Sequence, residues 1–364
     1  MLRDEIPTPA LLLDLSAFES NVATMAAFVA ARGKALRPHG KTHKCPEVAK
    51  RLVAAGAVGT CTAKLGEAEV FAAHGLRGLL VTTAVVGPAK AARAAKLAKL
   101  APDTIVVADD IETVRVLGDA AWRAGVTMRV AVDLYFGRTG VAPGAAARDV
   151  ARAIDGSPSL TFAGLQAYDG TASHTSPFDA RRARSTTSLL AAIDTARLLA
   201  QDGIACPLVT GGSTGTYRID AELDGVTELQ PGSFIFMDAD YARIGGPDGG
   251  HAYTDFEPAL SVVTTVVSVH GDDAIVDGGY KSFATDRPFT PVAIGQPGIT
   301  YGWAGDEHGR LDMRQAARRL RVGDRVAFQP PHCDPTVNLY DEIHAVRDDT
   351  VEGVWPIAAR GKSQ

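Results

Sequence analysis

Between residues 34 and 230 short apolar runs alternate with helix-like segments, and this rhythm restricts the possible fold more than any other feature. The runs read as strands at 34–38, 60–63, 79–83, 105–108, 128–133, 162–168, 207–210 and 228–230. Between most of them lie helical patterns at 47–55, 67–73, 89–100, 112–124, 145–153 and 179–202. In these, Ala, Leu and Val recur at i, i+3 and i+4 among Lys, Arg and Asp. Strands that are apolar throughout are expected to be parallel and buried on both faces. Eight strand–helix units close naturally into a (β/α)8 barrel of the TIM type. An open doubly wound sheet would have fewer strands and a glycine-rich first turn. Here that turn reads His39-Gly40-Lys41-Thr42-His43-Lys44, so a barrel is predicted.

A further apolar strand at 10–15 precedes the barrel, and Ser16 is a suitable N-cap for the helix after it. Near residue 245 the composition changes. Gly245-Gly246-Pro247-Asp248-Gly249-Gly250 reads as a linker, and β-like runs follow at 260–270, 274–277, 325–328, 343–346 and 351–354. The expected organisation is therefore a strand within residues 1–20 that joins a C-terminal β domain, a barrel at 21–245 and a mostly-β domain at 250–364.

The 364 residues suffice for a large core plus a second domain. A net charge of −5 gives no footprint for nucleic acid or acidic membranes. No apolar run approaches the roughly 20 residues of a membrane-spanning helix. The first residues lack the basic-then-apolar layout of a signal peptide. Cys45, Cys61, Cys206 and Cys333 are scattered without a CxxC pair, which argues against disulfides and thiolate zinc. A cytoplasmic protein with reduced thiols is expected.

In such a barrel the chemistry sits at the C-terminal ends of the strands. The first barrel strand ends at His39-Gly40-Lys41, and the fifth runs into Asp133-Leu134-Tyr135-Phe136-Gly137-Arg138. The sixth ends Gln166-Ala167-Tyr168-Asp169-Gly170, with His174 just beyond. The seventh ends Gly211-Gly212-Ser213-Thr214-Gly215-Thr216, a loop of backbone N–H groups and hydroxyls suited to cradling a phosphate at a helix start. Gly232 and Ser233, one strand later, can close around the same group. A lysine in the barrel mouth opposite a phosphate cradle suggests pyridoxal phosphate, whose aldehyde bonds a lysine amine. Lys41 is preferred to Lys44 because it lies closer to the strand end. Arg138 can anchor the cofactor's phenolic oxygen or ring, or else pair with Asp133, and the Tyr168 ring can pack nearby. Far downstream, His332 and Asp334 stand two apart in Pro330-Pro331-His332-Cys333-Asp334-Pro335-Thr336. In an extended segment they project to one side, and His plus carboxylate suits Mn²⁺, Mg²⁺ or Co²⁺. Cys333 then points away.

These residues bring a family into view. The chain resembles the fold-type III, alanine-racemase-like pyridoxal-phosphate enzymes, and among them the D-threonine aldolase and 3-hydroxy-D-aspartate aldolase group, with D-serine dehydratases as relatives. The resemblance rests on the stretches 37–44, 164–168, 211–216, 228–233, 236–241, 306–309, 332–336 and 358–361. It implies a barrel plus β domain, a homodimer, Lys41 as the cofactor-bonding lysine and a divalent metal, foremost Mn²⁺, on His332 and Asp334. The implied reaction cleaves a β-hydroxy-D-amino acid to glycine and an aldehyde, with His174 taking the hydroxyl proton. A D-serine-type dehydratase uses the same parts, with Lys41 removing the α-proton. A non-catalytic cofactor-binding protein is a third reading, against which the residues from 250 onward argue. Asp169, Leu134-Tyr135-Phe136 and Thr83-Ala84 depart from the aldolase pattern.

Overall fold

The structure, a computed structural model, describes residues 1–364. Its strands are β1 (Ala10–Asp14), β2 (Ala35–Leu36), β3 (Thr60–Thr62), β4 (Leu79–Val81), β5 (Ile105–Ala108), β6 (Met128–Asp133), β7 (Leu160–Ala167), β8 (Val209–Gly211) and β9 (Glu228–Leu229). There follow β10 (Leu260–His270), β11 (Asp273–Val276), β12 (Val292–Ala293), β13 (Thr300–Trp303), β14 (Gly309–Asp312), β15 (Arg325–Gln329), β16 (Glu342–Arg347) and β17 (Thr350–Pro356). The chain forms two compact units. One holds residues 25–41, 46–232 and 361–364, the other residues 1–24, 42–45 and 233–360. The Gly-rich run 245–250 lies inside the second unit, and the chain passes from the first into the second between Gly232 and Ser233.

In the first unit eight parallel strands run in the order β2-β9-β8-β7-β6-β5-β4-β3. The ring closes between β2 and β3. Val58 N–H donates to Leu36 O at 2.9 Å, Cys61 N–H donates to Pro38 O at 2.9 Å, and His39 bridges Cys61 in parallel. The (β/α)8 fold follows as expected. Strand side chains fill the interior: Cys61, Leu80, Ile105, Val107, Ala131 and Ala163 cluster with almost no exposure. Each fully buried Leu, Ile or Val stabilises by about 1.5–3 kcal/mol. Helices follow most strands. Ile111–Ala124 shows how their ends are written: Asp110 accepts the Thr113 N–H at 2.9 Å, and Gly125 ends the helix in the left-handed region. Its apolar face buries Val114, Leu117 and Ala121.

The second unit is a nine-stranded sheet in the order β13-β14-β11-β10-β1-β16-β17, with β15 on β10 and β12 on β15. β1 lies antiparallel to β10 and parallel to β16, so the N-terminal strand is central to this sheet. Leu11 and Leu13 are wholly buried there. The helix after β1 starts at Leu15, and its cap is Asp14, which accepts the Ala17 N–H at 3.0 Å; Ser16 lies within the helix.

Candidate active site

β2 is short: Arg37 N–H still donates to Leu229 O at 2.9 Å, but Pro38 has no N–H to carry the ladder further. Gly40 then allows a close turn, since a Cβ there would lie 2.7 Å from Phe71 Cε2 and 2.8 Å from Thr60 Cγ2. The turn presents Lys41 into a cavity of about 290 Å³, near the lower end of the range that holds small ligands. Lys41 N–H donates to His39 Nδ1 at 3.3 Å. With Nδ1 accepting, His39 carries its proton on Nε2 and donates to Thr82 Oγ1 at 3.1 Å. The Thr82 hydroxyl in turn donates to Thr62 O at 3.1 Å. Ala63, Thr83, Asp133, Arg138, Tyr168 and Gln230 also line the cavity, each at or just beyond a strand's C-terminal end.

One wall is a polar network. Gln166 spends both amide protons, on Asp133 Oδ1 at 2.8 Å and Thr82 O at 2.9 Å. Thr139 donates to Asp133 Oδ2 at 2.9 Å. Burial pushes the Asp133 carboxyl above its ordinary range, against the pull of these two donors. Arg138 forms no salt bridge with Asp133; its guanidinium lies 5.5 Å from the centre of the Tyr168 ring. The loop that carries Arg138 is pinned at its end, where Gly140 N–H donates to Asp109 at 3.1 Å.

Behind Gln230, which lines the cavity, lies a buried ion pair that the sequence did not announce. Arg37 grips Glu228 with two hydrogen bonds, Nε at 2.9 Å and Nη2 at 2.7 Å. Thr210 donates to the same carboxylate at 2.8 Å, and Gln230 Nε2 donates to Thr210 Oγ1 at 2.9 Å. Because the Thr210 proton goes to Glu228, the Gln230 amide must turn its nitrogen to Thr210.

The glycine-rich loop after β8 is buried from Gly211 to Tyr217 and does not line the Lys41 cavity. Gly212 has φ +78°, and a Cβ there would sit 2.5 Å from Asp220 Oδ2, so only glycine fits. Ser213 N–H donates to Thr216 Oγ1 at 3.0 Å, and both Thr216 and Ser185 give their hydroxyls to Asp220. Burial lifts the Asp220 carboxyl to about 7 in spite of these donors. The helix after the loop, Tyr217–Asp220, is a single turn, so amides and hydroxyls rather than a helix dipole suit this loop to an anion. Thr214 is buried beside Ser213; Gly232 ends the 46–232 segment of the barrel unit, and Ser233 opens a 3-10 turn in the β-rich unit.

His174 is half-buried at the end of the 3-10 turn Ala172–His174 and does not line the Lys41 cavity. Asp169 explains that turn. Its carboxylate accepts the N–H groups of Thr171 and Ala172 at 2.9 and 3.1 Å and bonds Arg184 and Ser188, both at 3.0 Å. Asp169 is therefore committed to its own loop.

In the β-rich unit His332 is extended (φ −144°, ψ 123°), but a short helix starts at once, Cys333–Val337. The expectation of one extended segment from His332 to Asp334 is thus corrected: Asp334 stands in a helical first turn. That turn forms because Asp238, fully buried, accepts the Cys333 N–H at 2.8 Å, while Thr336 returns its hydroxyl to His332 O at 2.7 Å. His332 Nδ1 lies 2.8 Å from Asp286 Oδ2. Cys333 is buried, and burial raises its thiol well above the ordinary value, so it is a poor thiolate donor. No group of three or more His, Cys, Asp or Glu side chains forms a metal cage, which leaves any cation held here with open positions.

A lysine at the mouth of a closed parallel barrel, in a chain that also builds a separate β-rich unit, defines an enzyme fold of the alanine-racemase type. The chain belongs to the alanine racemase N-terminal domain family, whose model matches residues 13–240; residues 259–346 match the family described as putative serine dehydratase domain. It is 39% identical to a D-threonine aldolase of Arthrobacter sp over 99% of this chain and 94% of that protein. It is 38% identical to a 3-hydroxy-D-aspartate aldolase of Paracoccus denitrificans (strain Pd 1222) over 100% of this chain and 94% of that one. Among solved structures, D-threonine aldolase from Filomicrobium marinum superposes with a TM-score of 0.94 at 40% identity, covering 99% of this chain and 98% of the other.

Proposed function

We propose that this chain is a pyridoxal-phosphate- and divalent-metal-dependent aldolase that cleaves β-hydroxy-D-amino acids to glycine and an aldehyde. The observation that carries the reading is Lys41 in the cavity at the strand ends, in a chain whose full-length relatives bear the names of such aldolases. The residues fit the cofactor. Lys41 offers an amine, Arg138 and Tyr168 share its cavity, and the Gly212–Ser213–Thr214 loop has the small, uncharged, donor-rich character that a phosphate needs. Pyridoxal phosphate, when bound, supplies an aldehyde carbon and an electron-accepting ring that stabilises charge at the substrate Cα.

His39 orients the turn that carries Lys41, and Asp133, held by Gln166 and Thr139, keeps the opposite wall rigid. His174 takes the proton from the β-hydroxyl as Cα–Cβ breaks. His332 and Asp334 form a donor pair for a divalent cation, with Mn²⁺ as the first choice and Mg²⁺ or Co²⁺ as substitutes. Such a cation lowers the pKa of a hydroxyl bound to it. The same reading includes a homodimer and a cytoplasmic setting; the four free cysteines fit a reducing compartment, and no helix is long and apolar enough to cross a membrane.

The match of residues 259–346 to a dehydratase family supports a second reading, elimination of water from D-serine or a β-hydroxy relative. Incubation with D-threonine, D-3-hydroxyaspartate and D-serine separates the two. Glycine plus an aldehyde is expected; a 2-oxo acid plus ammonia from D-serine, with no aldehyde from any substrate, would sink the aldolase. Lys41→Ala should lose the yellow colour of the bound cofactor.

A further inference from the structure

We infer that Asp286 is a positioning residue that fixes the tautomer and direction of the His332 ring, so that Nε2 is the nitrogen offered to the cation. The inference rests on the metal reading of His332 and Asp334. Asp286 Oδ2 lies 2.8 Å from His332 Nδ1. An ionised carboxylate only accepts, so Nδ1 carries the hydrogen and the neutral ring has its lone pair on Nε2. The carboxylate is itself anchored: Arg287 Nη1 donates to the same oxygen at 2.8 Å, and Arg287 Nε donates to Asp240 Oδ2 at 2.6 Å. Arg287 thus bridges two carboxylates and holds Asp286 in its direction.

The backbone at His332 is fixed separately. Asp238 holds the Cys333 N–H and Thr336 holds the His332 carbonyl. Asp286 accordingly governs the ring and not the chain path. The Asp286 side chain is 42% exposed, so its bond to His332 adds little to stability. Its worth lies in orienting a ligand, an effect that typically amounts to about 10- to 100-fold in metal affinity.

The test is a titration of the chelator-treated holoenzyme with Mn²⁺, counting free ion by its electron paramagnetic resonance signal. The wild type should bind Mn²⁺ and His332→Ala should not. Asp286→Ala should raise the dissociation constant about 10- to 100-fold, and Asp286→Glu should recover much of the loss, while cofactor absorbance and thermal midpoint stay unchanged. If Asp286→Ala binds Mn²⁺ as tightly as the wild type, or Asp286→Glu as weakly as the alanine variant, the inference is overturned while the metal pair stands. If the wild type binds no Mn²⁺, or His332→Ala binds it equally well, the metal reading fails and the inference falls with it.

Discussion

Thr216 gives its hydroxyl to Asp220 and receives the Ser213 N–H at 3.0 Å, so one side chain ties the glycine-rich loop to a carboxyl with no exposure to solvent. Replacing it by valine keeps the shape and deletes both bonds. A buried Ser213 N–H is then left without its acceptor, at a cost of about 1–3 kcal/mol. Thr216→Val is expected to lower the urea midpoint and to weaken pyridoxal phosphate binding by the apoprotein, measured by absorbance titration. Thr216→Ser should restore both. A destabilised variant with unaltered cofactor affinity would separate the loop from the phosphate.

The same carboxyl makes stability depend on pH in a defined direction. Burial raises Asp220 from the ordinary 3.8 to about 7. A carboxyl whose folded pKa is raised contributes stability that is fully present below the unfolded value and is lost as pH rises through the folded one. The contribution should therefore decline from about pH 4 to about pH 7 and then level off. Asp220→Asn cannot titrate. Across that window the wild type should lose thermal stability relative to the variant, and above it the gap should be constant. A gap that does not change between those limits would mean the carboxyl stays ionised in the fold.

Much of this architecture is legible in the sequence, for physical reasons. Strands buried on both faces read as apolar runs, which is why 105–108 and 128–133 coincide with β5 and β6. β12, β13 and β14 are not legible: they are two to four residues long, and Thr300–Trp303 contains a glycine. Lys41, Arg138 and Tyr168 stand out because each follows a strand that can be counted. The Arg37–Glu228 pair does not, because its partners are 191 residues apart and meet only when β2 joins β9. Asp286 gives no signal either, being one acidic residue in a turn-rich stretch. Asp14 and Ser16 are both good cap residues, and only the backbone decides between them.

The Arg37–Glu228 pair carries a stability prediction. Both side chains are nearly buried, with exposures of 10% and 3%. Arg37→Leu strands a buried carboxylate, and breaking a buried pair in this way costs about 3–5 kcal/mol. Urea unfolding should show that loss. Glu228→Gln added to Arg37→Leu removes the stranded charge and should recover a good part of it. If the double variant is no more stable than Arg37→Leu, the cost comes from the packing of the arginine stem or its bond to Gly78 O and not from the uncompensated charge.

His174 offers the sharpest separation of chemistry from scaffolding. Its turn is held by Asp169, whose carboxylate takes two backbone N–H groups and is braced by Arg184 and Ser188 on the helix Phe178–Gln201. His174→Asn leaves those Asp169 bonds in place, so the loop should keep its path. If His174 removes the β-hydroxyl proton, cleavage of D-threonine should fall by about 100- to 10,000-fold. Exchange of the glycine α-proton with D₂O involves no β-hydroxyl and should continue at the wild-type rate. A fall in both reactions would point to damage at the Lys41 cavity. Full cleavage activity in the variant would show that another group, such as a water molecule, accepts the proton.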